Sequence, residues 1–245
     1  MKAIILAAGK GTRLNGVDLK PKCLFEVGGE TLLDRQITTL RELHVDDIVI
    51  VLGFEAERIR RRYEHAASFV INSRYEDTSS MYSLWLAREH VLDGFVVLNC
   101  DVLFHPQLLA RLLSSPAENA LLIDLVDKNN NYLGDEEMKV KLRDGLVVDI
   151  RKDMDPAEAD GENVGVVKFS AEGARRLIEE MDALIESGRL REWAPRAFRE
   201  FAQRFPLHAI STADYPWIEI DFPEDYRRAK EEVFPQIDAM ADSRV

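Results

Sequence analysis

Two basic side chains and three carboxylates stand out by type and spacing. Arg13 lies in a glycine loop, Leu6-Ala7-Ala8-Gly9-Lys10-Gly11-Thr12-Arg13-Leu14, and Lys22 follows in Pro21-Lys22-Cys23-Leu24. Small residues after an apolar run let backbone N–H groups approach a polyphosphate without Cβ interference. Arg13 offers phosphate oxygens a planar fork, and Lys22 offers a compact point charge. Asp101 follows the apolar run Phe95–Leu98, and Glu219 and Asp221 close the run Trp217-Ile218-Glu219-Ile220-Asp221. Carboxylates from two strand ends suit a hard Mg²⁺ ion, which takes oxygen ligands together with phosphates. Glu219 and Asp221 are two positions apart, so they point to one side of a strand, and Glu219 serves either the metal or a second substrate. Plainer readings stand beside these. The loop also reads as an ordinary glycine turn with surface cations, and Asp221 as the cap of a helix starting at Pro223.

The loop is neither a Walker loop nor a dinucleotide fingerprint. It lacks the G-K-[ST] ending of the first and the third glycine of the second, where Leu14 stands instead.

Positioning these groups falls to strands and helices in alternation. Ala3–Ala8 is a continuous apolar run, as in a strand buried on both faces of a parallel sheet, and the glycine loop 9–16 follows it. Helical spacing over Thr31–Leu43, a strand at Asp47–Leu52, a charged helix over Glu55–His65, a strand at Phe69–Ile71, a helix over Ser79–Val91, the strand Phe95–Leu98 and a helix from Pro106 to Leu113 complete βαβ units. Beyond about Leu121 the texture changes. Met138–Leu142 and Leu146–Ile150 flank Asp144-Gly145, a hairpin signal, and Val164–Phe169 is a further strand. Helices are expected from Ser170 to Glu186, over Leu190–Gln203 and over Pro223–Phe234, with short strands at Leu207–Ile210 and Trp217–Ile220. The expectation is an α/β fold, a Rossmann-like, mostly parallel mixed sheet flanked by helices. It forms a single domain over 1–237, with a first half to about 120, an elaborated second half beyond it and a loose tail at 238–245.

Composition excludes several classes. The chain has 245 residues and a net charge of −12, from 32 basic and 44 acidic side chains, which argues against holding nucleic acid. Any anion must therefore meet locally concentrated positive charge, and Lys10, Arg13, Lys20 and Lys22 provide it. Cys23 and Cys100 lack C-x-x-C spacing and read as small packing residues. The five histidines lack zinc spacing. The basic run Arg58–Arg62 is flanked by Glu55, Glu57 and Glu64 and reads as a solvated helix face. No apolar run approaches the ~18 residues of a membrane helix. Met1–Gly9 imitates a short signal peptide, but a buried strand feeding a glycine loop explains the same letters better, so a cytoplasmic protein, monomer or homodimer, is expected.

L-A-A-G-x-G-T-R-L followed by P-K-x-L resembles the signature of the sugar nucleotidyltransferase superfamily. Val51-Leu52-Gly53-Phe54 is similar to that family's second strand and glycine turn. Asn72 and Thr78-Ser79-Ser80-Met81-Tyr82-Ser83-Leu84 resemble its base-facing segment, and Asn99-Cys100-Asp101 and Trp217–Asp221 resemble its two metal-binding stretches. Gly161-Glu162-Asn163-Val164-Gly165 and the W-x-E-I-D-x-P-E-D-Y ending resemble the CTP:phosphocholine cytidylyltransferase-like branch. The resemblance implies Arg13 and Lys22 as catalytic cations. It implies Leu6, Ala7, Ala8, Gly9, Lys10, Gly11, Thr12, Gly53, Ser79, Ser80 and Asp101 around the nucleotide, and Asp101 with Asp221 on Mg²⁺. A phosphate oxygen of the acceptor would attack the α-phosphorus of CTP and release pyrophosphate. A phosphate monoester is largely dianionic at neutral pH, with a second pKa of about 6, so no dedicated general base is required.

The acceptor end draws on Glu137, Lys139, Glu162, Trp193, Trp217 and Glu219. Aromatic faces with carboxylates suit a quaternary ammonium such as choline, whereas Lys139 suits an additional anionic or polyhydroxy group. Phosphocholine is the first expectation. Inositol 1-phosphate, an aminoalkylphosphonate or a sugar 1-phosphate, with another NTP, is the second. A non-catalytic nucleotide-binding subunit is the alternative of a different class.

Overall fold

The computed structural model describes residues 1–14, 20–126, 133–213 and 215–242. The N-terminal apolar run forms β1 (Lys2–Ala7), and the chain then passes through two 3-10 turns, Thr12–Leu14 and Lys22–Leu24, into a small hairpin of β2 (Glu26–Val27) and β3 (Glu30–Thr31). Helix α1 (Leu32–Glu42) begins with a capping box: Thr31 Oγ1 accepts from the Asp34 N–H, and the Asp34 carboxylate accepts from the Thr31 N–H. The βαβ rhythm continues through β4 (Ile48–Leu52), α2 (Ala56–Tyr63), β5 (Ser68–Ile71), α3 (Ser80–Leu86), β6 (Phe95–Asn99), β7 (Val102–Phe104) and α4 (Pro106–Ser114). The second half contains β8 (Ala120–Leu125), the hairpin of β9 (Lys139–Arg143) and β10 (Leu146–Arg151), β11 (Gly161–Phe169), α5 (Ala171–Glu186), α6 (Ala194–Ala202), β12 (His208–Ser211), β13 (Trp217–Glu219), α7 (Pro223–Arg228) and α8 (Phe234–Asp242).

Among the described residues one sheet of nine strands runs through both halves, in the order β5-β4-β1-β6-β11-β8-β12-β10-β9. The first four strands are parallel. β11 enters antiparallel between β6 and β8, β12 lies parallel to β8, and β9 turns back to pair with β11. The sheet is thus parallel in the first half and mixed beyond it. From β1 the chain moves outward to β4 and β5, then returns to the other side of β1 as β6. This reversal opens a crevice at the carboxyl ends of β1 and β6, where open α/β sheets bind ligands. Alternation along β1 feeds two cores: Ile4 and Leu6 face one, and Ala3, Ile5 and Ala7 face the other.

Several elements differ from the sequence expectation: β2, β3 and β7 are absent from the expected strands, and the helix expected over Ser79–Val91 ends at Leu86, ahead of a 3-10 turn at Arg88–His90. Helix α6 begins at Ala194 rather than Leu190, because Pro195 is accommodated only in a first turn. Leu190 and Glu192 instead offer carbonyls to the N–H groups of Ser79 and Met81 at the start of α3. The terminal helix is not continuous from Pro223 to Phe234: Ala229–Val233 form a π turn between α7 and α8. Nor is the tail loose from Asp238. Helix α8 runs to Asp242 with Ile237 buried, while residues 243–245 lie outside the described residues. β8, absent from the expected strands, sits inside the sheet between β11 and β12. No helix among the described residues is long and apolar enough to cross a membrane.

Candidate active site

A cavity of about 360 Å³ opens over the carboxyl ends of β1 and β6. Leu6, Ala8, Gly9 and Gly11 line it, whereas Ala7 turns into the opposite core. Gly11 has φ +60°, and a Cβ there would meet Lys22 Cγ at 2.7 Å, so glycine is needed both for the backbone and for the passage of Lys22. The Lys10 side chain leaves the cavity, pairs with Glu76 and lies 5.7 Å from the centre of the Tyr75 ring. Residues 15–19, with the end of the expected loop at Gly16, and the Thr12 side chain lie outside what the structure describes. Gly53 supports the loop without lining the cavity. The adjacent Phe54 N–H donates to the Ala8 carbonyl at 3.0 Å, and a Cβ on Gly53 would come within 2.6 Å of that carbonyl oxygen.

Ser79 and Ser80 form the facing wall. The Ser80 hydroxyl also accepts from the Ala194 N–H at 2.9 Å, tying α3 to α6. Asn72, buried, donates to Thr78 and Ser83 and accepts from the Arg74 N–H, which fixes the shape of this segment.

The charged centre is assembled by backbone pairing. β13 runs antiparallel to β7 with Glu219 opposite Val102, and the Ile220 N–H donates to the Asp101 carbonyl at 3.0 Å. This ladder brings Asp101 beside Glu219 and Asp221, whose carboxylate oxygens all lie within 4.8 Å of one another. Lys22 enters on its 3-10 turn, donates to Asp101 Oδ2 at 3.1 Å and pairs with Asp221. Arg13 Nη1 lies 3.2 Å from the second oxygen of Asp221.

The energetics follow from this crowding. Burial alone would lower the pKa of the Lys22 ammonium, but Asp101 and Asp221 outweigh it and hold the pKa above its ordinary value. Burial would raise Asp221, and the positive charge of Lys22, helped by Arg13, brings it below the usual carboxylate range instead. Glu219 is pushed well up, first by burial and then by the negative charges of Asp101 and Asp221. Asp221 does not cap α7. Asp225 accepts from the Asp221 and Phe222 N–H groups, leaving the Asp221 carboxylate for Lys22 and Arg13. Three hard oxygen donors gathered on one point, with burial and the neighbouring carboxylates disfavouring a charge on Glu219 unless further positive charge is supplied, fit a divalent cation.

The acceptor candidates gather beside this centre, but only part of the set reaches the cavity. Trp193 and Glu219 line it, and Glu137, Lys139, Glu162 and Trp217 do not. Lys139 is a buried tie whose ammonium donates to the Lys152 carbonyl at 2.8 Å, and Trp217 Nε1 donates to Asp124 at 3.1 Å. Glu162 stands opposite Lys139 and Asp124 in the sheet. Its carboxyl is pushed up to about 8, first by burial and then by Glu137 and Asp124, with Lys139 and Lys152 opposing.

Glu162 therefore folds with a proton that the unfolded chain releases near pH 4.5. A folded-state pKa above the unfolded one means that its contribution is fully present at low pH and is lost as pH rises towards 8. A Glu162→Gln variant lacks this loss. Thermal melts are expected to show E162Q gaining on wild type by roughly 3–5 kcal/mol between pH 5 and pH 8.5; a pH-independent difference would refute the assignment.

The structure also adds lining residues that carry no sequence motif, Tyr75, Glu136, Met138 and Lys152, and it brings Asn163 of the 161–165 motif to the cavity wall. Lys152 Nζ lies 4.7 Å from the centre of the Trp193 ring and 3.3 Å from Glu136 Oε2. Cys23 is buried in the core, and Cys100, which lines the cavity, is hydrogen-bonded to it; that bond and burial raise the Cys100 thiol well above its usual pKa, as for a packing residue. Arg58, Arg60 and Arg62 pair with Glu55, Glu57 and Asp34, as befits a solvated face.

Comparison with known proteins gives a consistent picture. The choline-phosphate cytidylyltransferase of Streptococcus pneumoniae is 27% identical over 234 residues, covering 94% of this chain and 97% of that protein. The bifunctional IPC transferase and DIPP synthase of Aquifex aeolicus is 27% identical over 233 residues, 93% of this chain, and the chain spans about 50% of the length of that relative. The solved structure of the inositol-1-phosphate CTP transferase from T. maritima shares the fold at a TM-score of 0.78 and 20% identity, covering 100% of this chain and 97% of that one. Residues 3–197 match the MobA-like NTP transferase domain, so the chain belongs to that family and is a nucleotidyltransferase of the sugar nucleotidyltransferase superfamily, with cytidylyltransferases among its relatives.

Proposed function

We propose that the chain joins the CMP part of CTP to a small phosphorylated alcohol, phosphocholine first, in an Mg²⁺-dependent reaction that releases pyrophosphate. The observation that carries this reading is Lys22 held between Asp101 and Asp221, with Arg13 on the same Asp221, under a glycine loop at the sheet crevice. The backbone of Leu6, Ala8, Gly9 and Gly11 leaves room for the nucleotide, and Ser79 and Ser80 face it from the other wall. The dianionic acceptor phosphate attacks the α-phosphorus as pyrophosphate departs, and Arg13 and Lys22 neutralise the accumulating negative charge. Asp101 and Asp221, with Glu219, would hold Mg²⁺, which when bound supplies charge neutralisation and alignment of the triphosphate.

For the acceptor, the Trp193 ring already carries an ammonium group, that of Lys152, beside the Glu136 carboxylate. With that ring face taken by Lys152, the Glu136 carboxylate is the group that would pair with an ammonium-bearing acceptor. This favours phosphocholine or an aminoalkylphosphonate over inositol 1-phosphate or a sugar 1-phosphate.

Pyrophosphate release, measured for four NTPs against phosphocholine, inositol 1-phosphate, aminoethylphosphonate and glucose 1-phosphate, with and without Mg²⁺, tests the reading. The fastest release is expected from CTP with phosphocholine, and only with Mg²⁺. Activity confined to glucose 1-phosphate with UTP or TTP overturns the cytidylyl assignment, and release from no pair overturns the proposed reaction.

A further inference from the structure

Glu136 brings a negative charge into the part of the cavity where the proposed reaction needs positive charge. Its Oε2 lies 2.9 Å from Arg13 Nη1 and 3.3 Å from Lys152 Nζ. The two cations come from distant parts of the sequence, the glycine loop and the end of β10, yet both line the same cavity. One carboxylate oxygen shared between a guanidinium and an ammonium reproduces the contact that a phosphate oxygen makes with such a pair. The Glu136 side chain is 51% exposed and lies in the irregular segment ahead of β9, so it can swing away without disturbing the core. Arg13 remains held by Asp221 when it does, and Lys152 remains against Trp193.

We propose that Glu136 is an internal anion occupying a phosphate subsite formed by Arg13 and Lys152, and that a phosphate-bearing acceptor displaces it in order to bind. The inference rests on the reading above, in which a phosphate-bearing acceptor enters this cavity and its ammonium group pairs with Glu136. Its consequence is selectivity. Inorganic phosphate gains only the difference between its own contacts and those of Glu136, and then faces a displaced carboxylate at close range. An acceptor with an ammonium group offers that carboxylate a new partner. Glu136 thereby disfavours attack of inorganic phosphate on the α-phosphorus, a reaction that would form a new P–O–P link, expel pyrophosphate and leave a nucleoside diphosphate.

Calorimetric titration of inorganic phosphate into the full chain at neutral pH, without nucleotide, tests this directly. E136Q, which keeps the shape and loses the charge, is expected to bind phosphate at least about fivefold tighter than wild type, with E136A showing a similar gain. The gain should shrink at least twofold in a K152A background, where one of the two cations sharing the oxygen is gone. Affinity in E136Q no tighter than in wild type overturns the proposal, and this includes undetectable binding in both. A gain undiminished in E136Q/K152A also overturns it. The titration needs no turnover. Tighter phosphate binding by E136Q together with a silent acceptor panel would therefore refute the proposed reaction while supporting Glu136 as the competing anion.

Discussion

An Asp101→Ala enzyme is expected to lose about 10²- to 10³-fold in turnover, or ~3–4 kcal/mol of transition-state stabilisation, while remaining folded. Asp101 serves two partners: it accepts from Lys22 at 3.1 Å, and it is one of three carboxylates converging on a single point. Its removal therefore misplaces a cation of the chain and takes a ligand from any divalent ion. The fold should tolerate the change. Lys22 keeps Asp221, and Glu219 is relieved of one of the negative charges that push its pKa up. Pyrophosphate release and a thermal melt, measured on the same preparation, check both halves. Near-normal turnover would remove Asp101 from the reacting centre, and a collapsed melt would make it a structural residue instead.

Lys22→Met should show a comparable loss of turnover together with a stability effect that Asp101→Ala lacks. Lys22 is largely buried and is paired to both Asp101 and Asp221. Without it, three carboxylates share a confined space with Arg13 as the nearest compensation. Breaking a buried pair by deleting one partner costs about 3–5 kcal/mol, because the remaining charge is left uncompensated.

Asp221 fixes the sign of the pH dependence. Its pKa is lowered in the folded chain by Lys22, so its contribution is present above about pH 4 and is lost as pH falls through its folded-state value. The difference in melting temperature between wild type and K22M should accordingly narrow below about pH 4. Mg²⁺ should raise the melting temperature of K22M more than that of wild type, since the ammonium and the metal ion compete for the same oxygens. Equal Mg²⁺ responses would mean that Lys22 and the cation do not share a site.

How much of this centre is legible in the sequence depends on how each residue is held. Arg13, Lys22, Asp101 and Asp221 sit at short offsets from strand ends or a glycine turn, and such offsets are local. The same holds for the start of α5 at Ser170, whose hydroxyl accepts from the Gly173 N–H. β8 escapes a sequence reading because Ala120-Leu121-Leu122 is a short apolar run of helix-forming residues, without the β-branched and aromatic side chains that mark Phe95–Leu98 as a strand. Glu137 and Glu136 are adjacent acids with equal claims by composition, and the bend ahead of β9 brings only Glu136 to the cavity. Lys139 and Lys152 are likewise equivalent as letters. The first is fastened to backbone carbonyls inside the sheet, and the second faces the cavity against Trp193.

The sequence by itself determines the α/β class and the glycine loop and marks Arg13, Lys22, Asp101 and Asp221 as candidate cations and carboxylates, because these rest on periodicity and on residues close along the chain. Tertiary structure alone decides that Asp101 meets Asp221 through the β7–β13 ladder, that Lys22 stands between them, and that Glu136 bridges Arg13 and Lys152. Those contacts join residues from 16 to 199 positions apart, and only the tertiary arrangement of the strands and the loops between them brings them together.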